Sequence, residues 1–211
     1  MPEGDEPVVT PGQPSPEKAL FDDMNLDGIV SFDAFEQAMS GYEKINVRNK
    51  DIITVIDFTK PSTEKRLFVL DLKHKKLLYS SLVAHGKNSG ENYATSFSNT
   101  NESHQSSLGF YVTENTYIGK NGYSLILDGL EKGINDNAKA RAIVMHGADY
   151  CSRSFIASSG RLGRSFGCPA LPRELNIPII NTIKNGTLLF IYSANETYLA
   201  NSPVLSSRHR A

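Results

Sequence analysis

Residues 52–58 read Ile52-Ile53-Thr54-Val55-Ile56-Asp57-Phe58, a β-branched and aromatic run without helical spacing. Such a run predicts a strand. Six more of the same kind follow: Arg66–Leu72, Lys76–Val83, Gly109–Thr113, Tyr123–Leu127, Arg141–His146 and Thr187–Tyr192. Turn-rich stretches such as Gly86-Lys87-Asn88-Ser89-Gly90 and Gly119-Lys120-Asn121-Gly122 separate them. Many short strands with this punctuation predict a mainly β (α+β) domain, a sandwich or barrel, over residues 49–200. The helical segment of this half is Pro172–Lys184, and Pro178 is expected to interrupt it. Residues 86–107 and 147–167 are Gly/Ser/Asn-rich and lack periodic apolar positions. Loops of that length inside a compact domain usually carry function.

Outward from this core, residues 1–16 hold five of the ten prolines and read as a flexible, extended leader. Asp23-Met24-Asn25-Leu26-Asp27-Gly28 begins like a calcium-binding EF loop. The twelfth position of that loop needs a bidentate Glu, and here it is Ala34, so a turn leading into a helix is the reading. Phe32, Phe35, Met39 and Tyr42 recur at spacings of three, four and three. They place one apolar stripe on a short helix that is expected to dock on the β domain, with Gly41 weakening its last turn. The organisation expected is thus a leader (1–16), an N-terminal helical element (17–48), the β domain (49–200) and a C-terminal tail (201–211).

The 211 residues are 39% hydrophobic and 21% charged, the balance of a globular chain. No apolar run approaches the ~20 residues of a membrane helix, so the chain is read as not membrane-spanning. The start, Met1-Pro2-Glu3-Gly4-Asp5-Glu6, has neither a basic head nor an apolar stretch, so no signal peptide is read. The net charge of −1 hides an asymmetry: residues 1–45 hold ten acidic and two basic side chains, which leaves a balance of +7 for residues 46–211. That balance favours an anionic partner but is too dispersed for a nucleic-acid binder, and no nucleic-acid motif accompanies it. Two cysteines outside any C-x-x-C pair argue against a disulfide scaffold or a structural zinc. With no P-loop, dinucleotide fingerprint or His/Asp cluster at ligand spacing, no cofactor and no metal are expected.

The stretch that carries chemistry is His146-Gly147-Ala148-Asp149-Tyr150, then Gly160-Arg161-Leu162-Gly163-Arg164-Ser165-Phe166-Gly167-Cys168-Pro169. His146 ends a strand-like run, so a rigid element can aim its imidazole. Cys168 follows a glycine, which permits a left-handed backbone, and precedes a proline, which has no N–H to offer an oxyanion. A thiol of pKa ~8.5 needs a partner to become a nucleophile, and histidine is the usual one. The plainer alternative is that Cys168 is a small buried hydrophobe.

The same stretch resembles the L,D-transpeptidases (YkuD-type) of bacterial cell walls, whose motif is His-Gly followed some residues later by Ser-His-Gly-Cys. Here those elements stand as His146-Gly147 and Ser165-Phe166-Gly167-Cys168. The likeness is to a divergent branch, the murein L,D-transpeptidase catalytic-domain family, in which an aromatic residue precedes Gly-Cys. It covers most of residues 50–192, including Val83-Ala84-His85-Gly86, Phe97-Ser98-Asn99, Ser106-Ser107-Leu108-Gly109-Phe110-Tyr111 and Asn135 to Ala138. The resemblance implies a β-sandwich or barrel-like catalytic domain with Cys168 as acylated nucleophile and His146 as its base, oriented by a backbone carbonyl. Ser165, Gly167 and Gly147 would shape the site. Phe166 cannot carry a proton as the motif histidine would, and the Arg common two places after the cysteine is Ala170 here. Arg161 or Arg164 would then supply the charge in substrate binding, or else each is a structural or solvated arginine. His85, a second strand-end His before Gly, would line the cleft, or else sit satisfied inside. His104 would contact substrate or face water, and Cys151 is expected to be free and inert, with a disulfide to Cys168 as the alternative.

The activity implied is acyl transfer on peptidoglycan stem peptides in the cell envelope, periplasmic or secreted, with a leader absent from this chain. Three alternatives stand beside it: a wall hydrolase (carboxypeptidase, endopeptidase or amidase) using the same residues, an inactive peptidoglycan-binding module, and an intracellular thiol enzyme. Oligomeric state is left open by the residues.

Overall fold

The computed structural model describes residues 14–206. Eight strands form one sheet: β1 (Ile52–Asp57), β2 (Leu67–Asp71), β3 (Lys76–Ser81), β4 (Gly109–Gly119), β5 (Gly122–Gly129), β6 (Val144–Gly147), β7 (Ala170–Leu171) and β8 (Leu188–Tyr192). Their order across the sheet is β3-β2-β1-β8-β4-β5-β6-β7. The chain beyond β3 then bridges to the opposite edge, Ala84 to Ala170 and Gly86 to Ser165. The two edges therefore meet, and the sheet is a nearly closed barrel, which leaves few unpaired strand groups.

The run at 52–57 lies in the middle of the sheet, antiparallel to β2 and parallel to β8, and all six residues are buried. Burial on both faces is why it reads as a continuous apolar run rather than an alternation. On one flank packs α2 (Phe32–Lys44), capped by Ser31 and touching β1 and β8. The stripe of Phe35 and Met39 is buried as expected, and α1 (Pro16–Asp23) joins it through Phe21, whose ring meets Phe32 and Phe35 edge-on at 5.2 and 5.3 Å. Gly41 has a further role. A Cβ there would lie 2.1 Å from the Phe110 ring, so the glycine lets the helix approach β4. Any larger residue would push the helix off the barrel.

Two expectations need correction. Pro178 does not interrupt its helix: α4 runs from Arg173 to Ile183 with the proline inside. The lost backbone bond is offset by burial of Ile179, Ile180 and Ile183 in the core. Residues 201–206 are also no loose tail. After α5 (Glu196–Asn201), Ser202 and Leu205 are buried, and the Ser202 hydroxyl and the Tyr198 hydroxyl both bond the buried Glu131 carboxylate. The loop at 147–167 contains a short helix, α3 (Arg153–Ser159), capped by Ser152 and closed by Gly160 at φ 76°. The leader lies outside the described residues except for Pro14, Ser15 and Pro16, where Ser15 caps α1. Among the described residues no helix is long and apolar enough to cross a membrane.

Candidate active site

The last two strands in the sheet order set the site. His146 on β6 pairs with Ser124 of β5 on one side and, in parallel register, with Ala170 of β7 on the other. Cys168 lies two residues before Ala170, which brings its sulfur back along β6: Sγ accepts the Val144 N–H at 3.4 Å and faces the Ala142 carbonyl at 3.7 Å. Ala142 ends the preceding turn in the left-handed region, φ 53°.

The loop before the cysteine is fastened from within. Ser165 Oγ donates to the Cys168 carbonyl at 2.6 Å and accepts the Gly167 N–H at 3.1 Å. Gly167 has φ 121°, and a Cβ there would stand 2.8 Å from the Gln105 carbonyl oxygen. Only glycine meets both conditions. Gly147 is buried, and its missing Cβ makes room for the Asn176 side chain of α4.

His146 and Cys168 are each biased toward the neutral form. His146 is 4% exposed, with Nδ1 3.1 Å from the Gly147 carbonyl. That carbonyl can only accept, so the proton is assigned to Nδ1 and Nε2 is left as an acceptor. Burial holds the imidazole below the usual histidine value; the Gly147 carbonyl opposes this, and the Arg173 charge adds to it. Burial likewise pushes the Cys168 thiol up, against the Val144 N–H and the Arg141 charge. Both shifts favour thiol and imidazole over thiolate and imidazolium.

His146 and Cys168 line one cleft of about 410 Å³, together with Ser165, Phe166, Arg164, Arg141 and Tyr150. Phe166 stands 65% exposed at this cleft, its ring stacked on His104 at 4.5 Å with Lys87 Nζ 4.7 Å from its centre. Arg164 reaches the cleft but is held by Glu91 at 2.7 Å and by the Lys87 and Gly90 carbonyls. Arg161 pairs with the same Glu91 and does not line the cleft.

His85 is not there either. It is 1% exposed, with Nδ1 2.8 Å from the buried Arg66 Nη2 and Nε2 3.2 Å from the Gly90 carbonyl. Burial and the Arg66 charge lower it to about 4, so it is a neutral structural histidine. Cys151 and Cys168 are both free. Cys151 is wholly buried, and burial raises its thiol to about 12.

The cation that acts on the sulfur is Arg141, which in the sequence is only the first residue of a strand-like run. Its Nη1 bonds the Ser98 carbonyl and the Ser107 hydroxyl, and its Nη2 bonds Ser103 Oγ and the Gln105 carbonyl. No carboxylate pairs with it among the described residues, so its charge acts on Cys168 unneutralised. The partners lie more than thirty positions away in sequence, and no local pattern marks them. Among the described residues no three His, Cys, Asp or Glu side chains gather at a metal-holding distance.

Residues 27–192 match the L,D-transpeptidase catalytic domain family (YkuD_2), a span that takes in α2 as well as the barrel. No curated protein sequence matches the chain significantly. Among solved structures, an L,D-transpeptidase from Mycobacterium smegmatis is 12% identical at a TM-score of 0.42, covering 68% of this chain and 59% of that one. One from Xylanimonas cellulosilytica is also 12% identical, at a TM-score of 0.38 and coverages of 67% and 60%. One from Stackebrandtia nassauensis is 13% identical, at 0.42, with coverages of 85% and 77%. The chain spans about three fifths of the length of the first two. Since the family match takes in well over half of its residues, the chain belongs to the L,D-transpeptidase catalytic domain family.

Proposed function

We propose that the protein transfers acyl groups between peptidoglycan stem peptides through a thioester on Cys168, with His146 as base, in the cell envelope. The observation that carries this reading is the shared cleft: a free thiol and an imidazole whose Nδ1 is already committed to a carbonyl. His146 Nε2 takes the thiol proton as sulfur attacks the carbonyl of the diamino acid bonded to the terminal D-Ala. The tetrahedral oxyanion then collapses, the C–N bond breaks, and the imidazolium returns its proton to the departing amine. The thioester passes to the amine of a second stem, which yields a cross-link, or to water, which yields a shortened stem.

Because both groups start neutral, proton transfer accompanies attack rather than preceding it. The Gly167 N–H is held by Ser165 Oγ and Pro169 has none, so the Cys168 N–H is the donor this loop retains for the oxyanion. Arg141 contributes its charge, since all four of its terminal N–H groups are already engaged by the 98–107 loop.

Incubation with a carbapenem followed by intact-mass measurement tests the nucleophile. One adduct on the wild type and none on Cys168→Ser is expected. No adduct and no consumption of tetrapeptide stems would refute the reading. Product analysis on defined muropeptides then separates cross-linking from hydrolysis.

A further inference from the structure

A second groove, of about 550 Å³, lies beside the first. Its walls are the 95–99 segment and the helix α5, and Gln105 joins the two sites. Gln105 lines the groove, while its carbonyl accepts Arg141 Nη2 at 2.7 Å and stands against the Gly167 backbone. The wall between groove and nucleophile loop is therefore as thin as one residue.

The lining is chemically unlike the catalytic cleft. It holds hydroxyl and amide residues with an apolar patch from Phe97, Leu108 and Ile134, and no Lys, Arg, His, Asp or Glu. Several of these polar groups have capacity left for a ligand. Asn195 Oδ1 caps α5 at the Tyr198 N–H, which leaves its Nδ2 as a donor, and Asn201 Nδ2 donates to the Thr197 carbonyl, which leaves its Oδ1 as an acceptor. The Ser96 and Thr197 side chains are exposed beside them.

The walls are also fixed in advance. Asn99 is held by Asp136 at 2.7 Å and by the Asn137 N–H at 3.1 Å, and Arg141 Nη1 holds the Ser98 carbonyl at 2.8 Å. The Glu131 carboxylate anchors α5 through Tyr198. A preformed site loses less on binding.

A stem peptide, with its carboxylates and ammonium groups, would leave its charges unpaired against such a lining. A neutral ligand carrying hydroxyls, acetamido groups and apolar ring faces suits it. We infer that this groove binds N-acetylhexosamine units of the glycan strand while the attached stem occupies the catalytic cleft. The inference rests on the acyl-transfer reading for its purpose, though not for the binding itself.

The test uses the Cys168→Ala protein and chitotetraose as probe, followed by amide NMR, so no turnover is needed. Chitotetraose is expected to shift the signals of residues 95–99 and 195–201, and Thr197→Arg, a change at an exposed helix position, to weaken binding about tenfold or more. With the active protein, stems bearing the disaccharide should turn over about tenfold faster in kcat/KM than free tetrapeptide, and Thr197→Arg should erase that preference without slowing the free tetrapeptide. If chitotetraose leaves those signals unmoved, or if free tetrapeptide shifts them instead, the inference is overturned. Equal turnover of the two substrates by the wild type would overturn it as well.

Discussion

His85-Gly86 and His146-Gly147 look alike in the sequence, and each has a cysteine nearby in the fold. Their surroundings are opposite. Around His85 both ring nitrogens are engaged, by Arg66 and by the Gly90 carbonyl, and Cys151 lies close enough to Arg66 to feel its charge, within a separate small apolar cluster. Around His146 one nitrogen is engaged and the other is left over, and Cys168 shares its cleft. The two His/Cys neighbourhoods therefore differ in what remains unsatisfied, not in residue type. The buried guanidinium of Arg66 makes that difference: it also holds the Val83 carbonyl, so it ties the chain after β3 to β2 and closes the inert pocket.

The comparison can be broken most sharply at the two sulfurs. Cys168→Ala should lower acyl uptake by ~10⁴-fold or more, as loss of a nucleophile does. Cys151→Ala should leave the rate alone and cost about 1–2 kcal/mol of stability, as a small cavity does. Single-turnover mass spectrometry and thermal melts read the two effects.

Next come the imidazoles. His146→Ala should slow acylation by ~10²–10⁴-fold with little change in melting, the range for a lost general base. His85→Ala should do the reverse, destabilising by about 2–4 kcal/mol because a buried Arg66 N–H loses its partner and the imidazole leaves a cavity. Loss of acylation in a folded His85→Ala protein would show that the two corners are not distinct.

A smaller effect sharpens the contrast at the cations. Arg141 lowers the Cys168 thiol, so Arg141→Met should move the pH dependence of thiol alkylation upward and loosen the 98–107 loop.

The smallest concerns His146 itself. Its pKa lies below 6.5, so the protonated, incapable form appears only under more acidic conditions, and the acid limb of the pH–rate profile should lie below that value. Arg173 adds to this lowering from an exposed ion pair with Asp149. Arg173→Ala should therefore raise the acid limb, and only slightly, because solvent screens the charge.

What could be read from the sequence followed the range of the interactions. Strands such as β1 and β8 were legible because burial on both faces writes an unbroken apolar run. The stripe on α2 was legible for a similar reason. Helices α3 and α5 were not: α3 buries no residue and α5 buries only Tyr198, and their short caps at Ser152 and Asn195 resemble ordinary loop polarity. Gly41 read as a weak point of its helix, since the ring it accommodates belongs to Phe110, far along the chain. At the site, Cys168, His146 and the fastening role of Ser165 and Gly167 sit within a short segment. Arg141 and the burial of His85 depend on loops that fold back from elsewhere.

The most direct measurement is the location of the acyl group itself. A tetrapeptide stem is incubated with the protein, the reaction is quenched in acid, and the digested chain is mapped by mass spectrometry. The account predicts a thioester on the peptide containing Cys168, absent from Cys168→Ser and still present in Cys151→Ser. An acyl group found on Cys151, or stems consumed by Cys168→Ser at the wild-type rate, would contradict it.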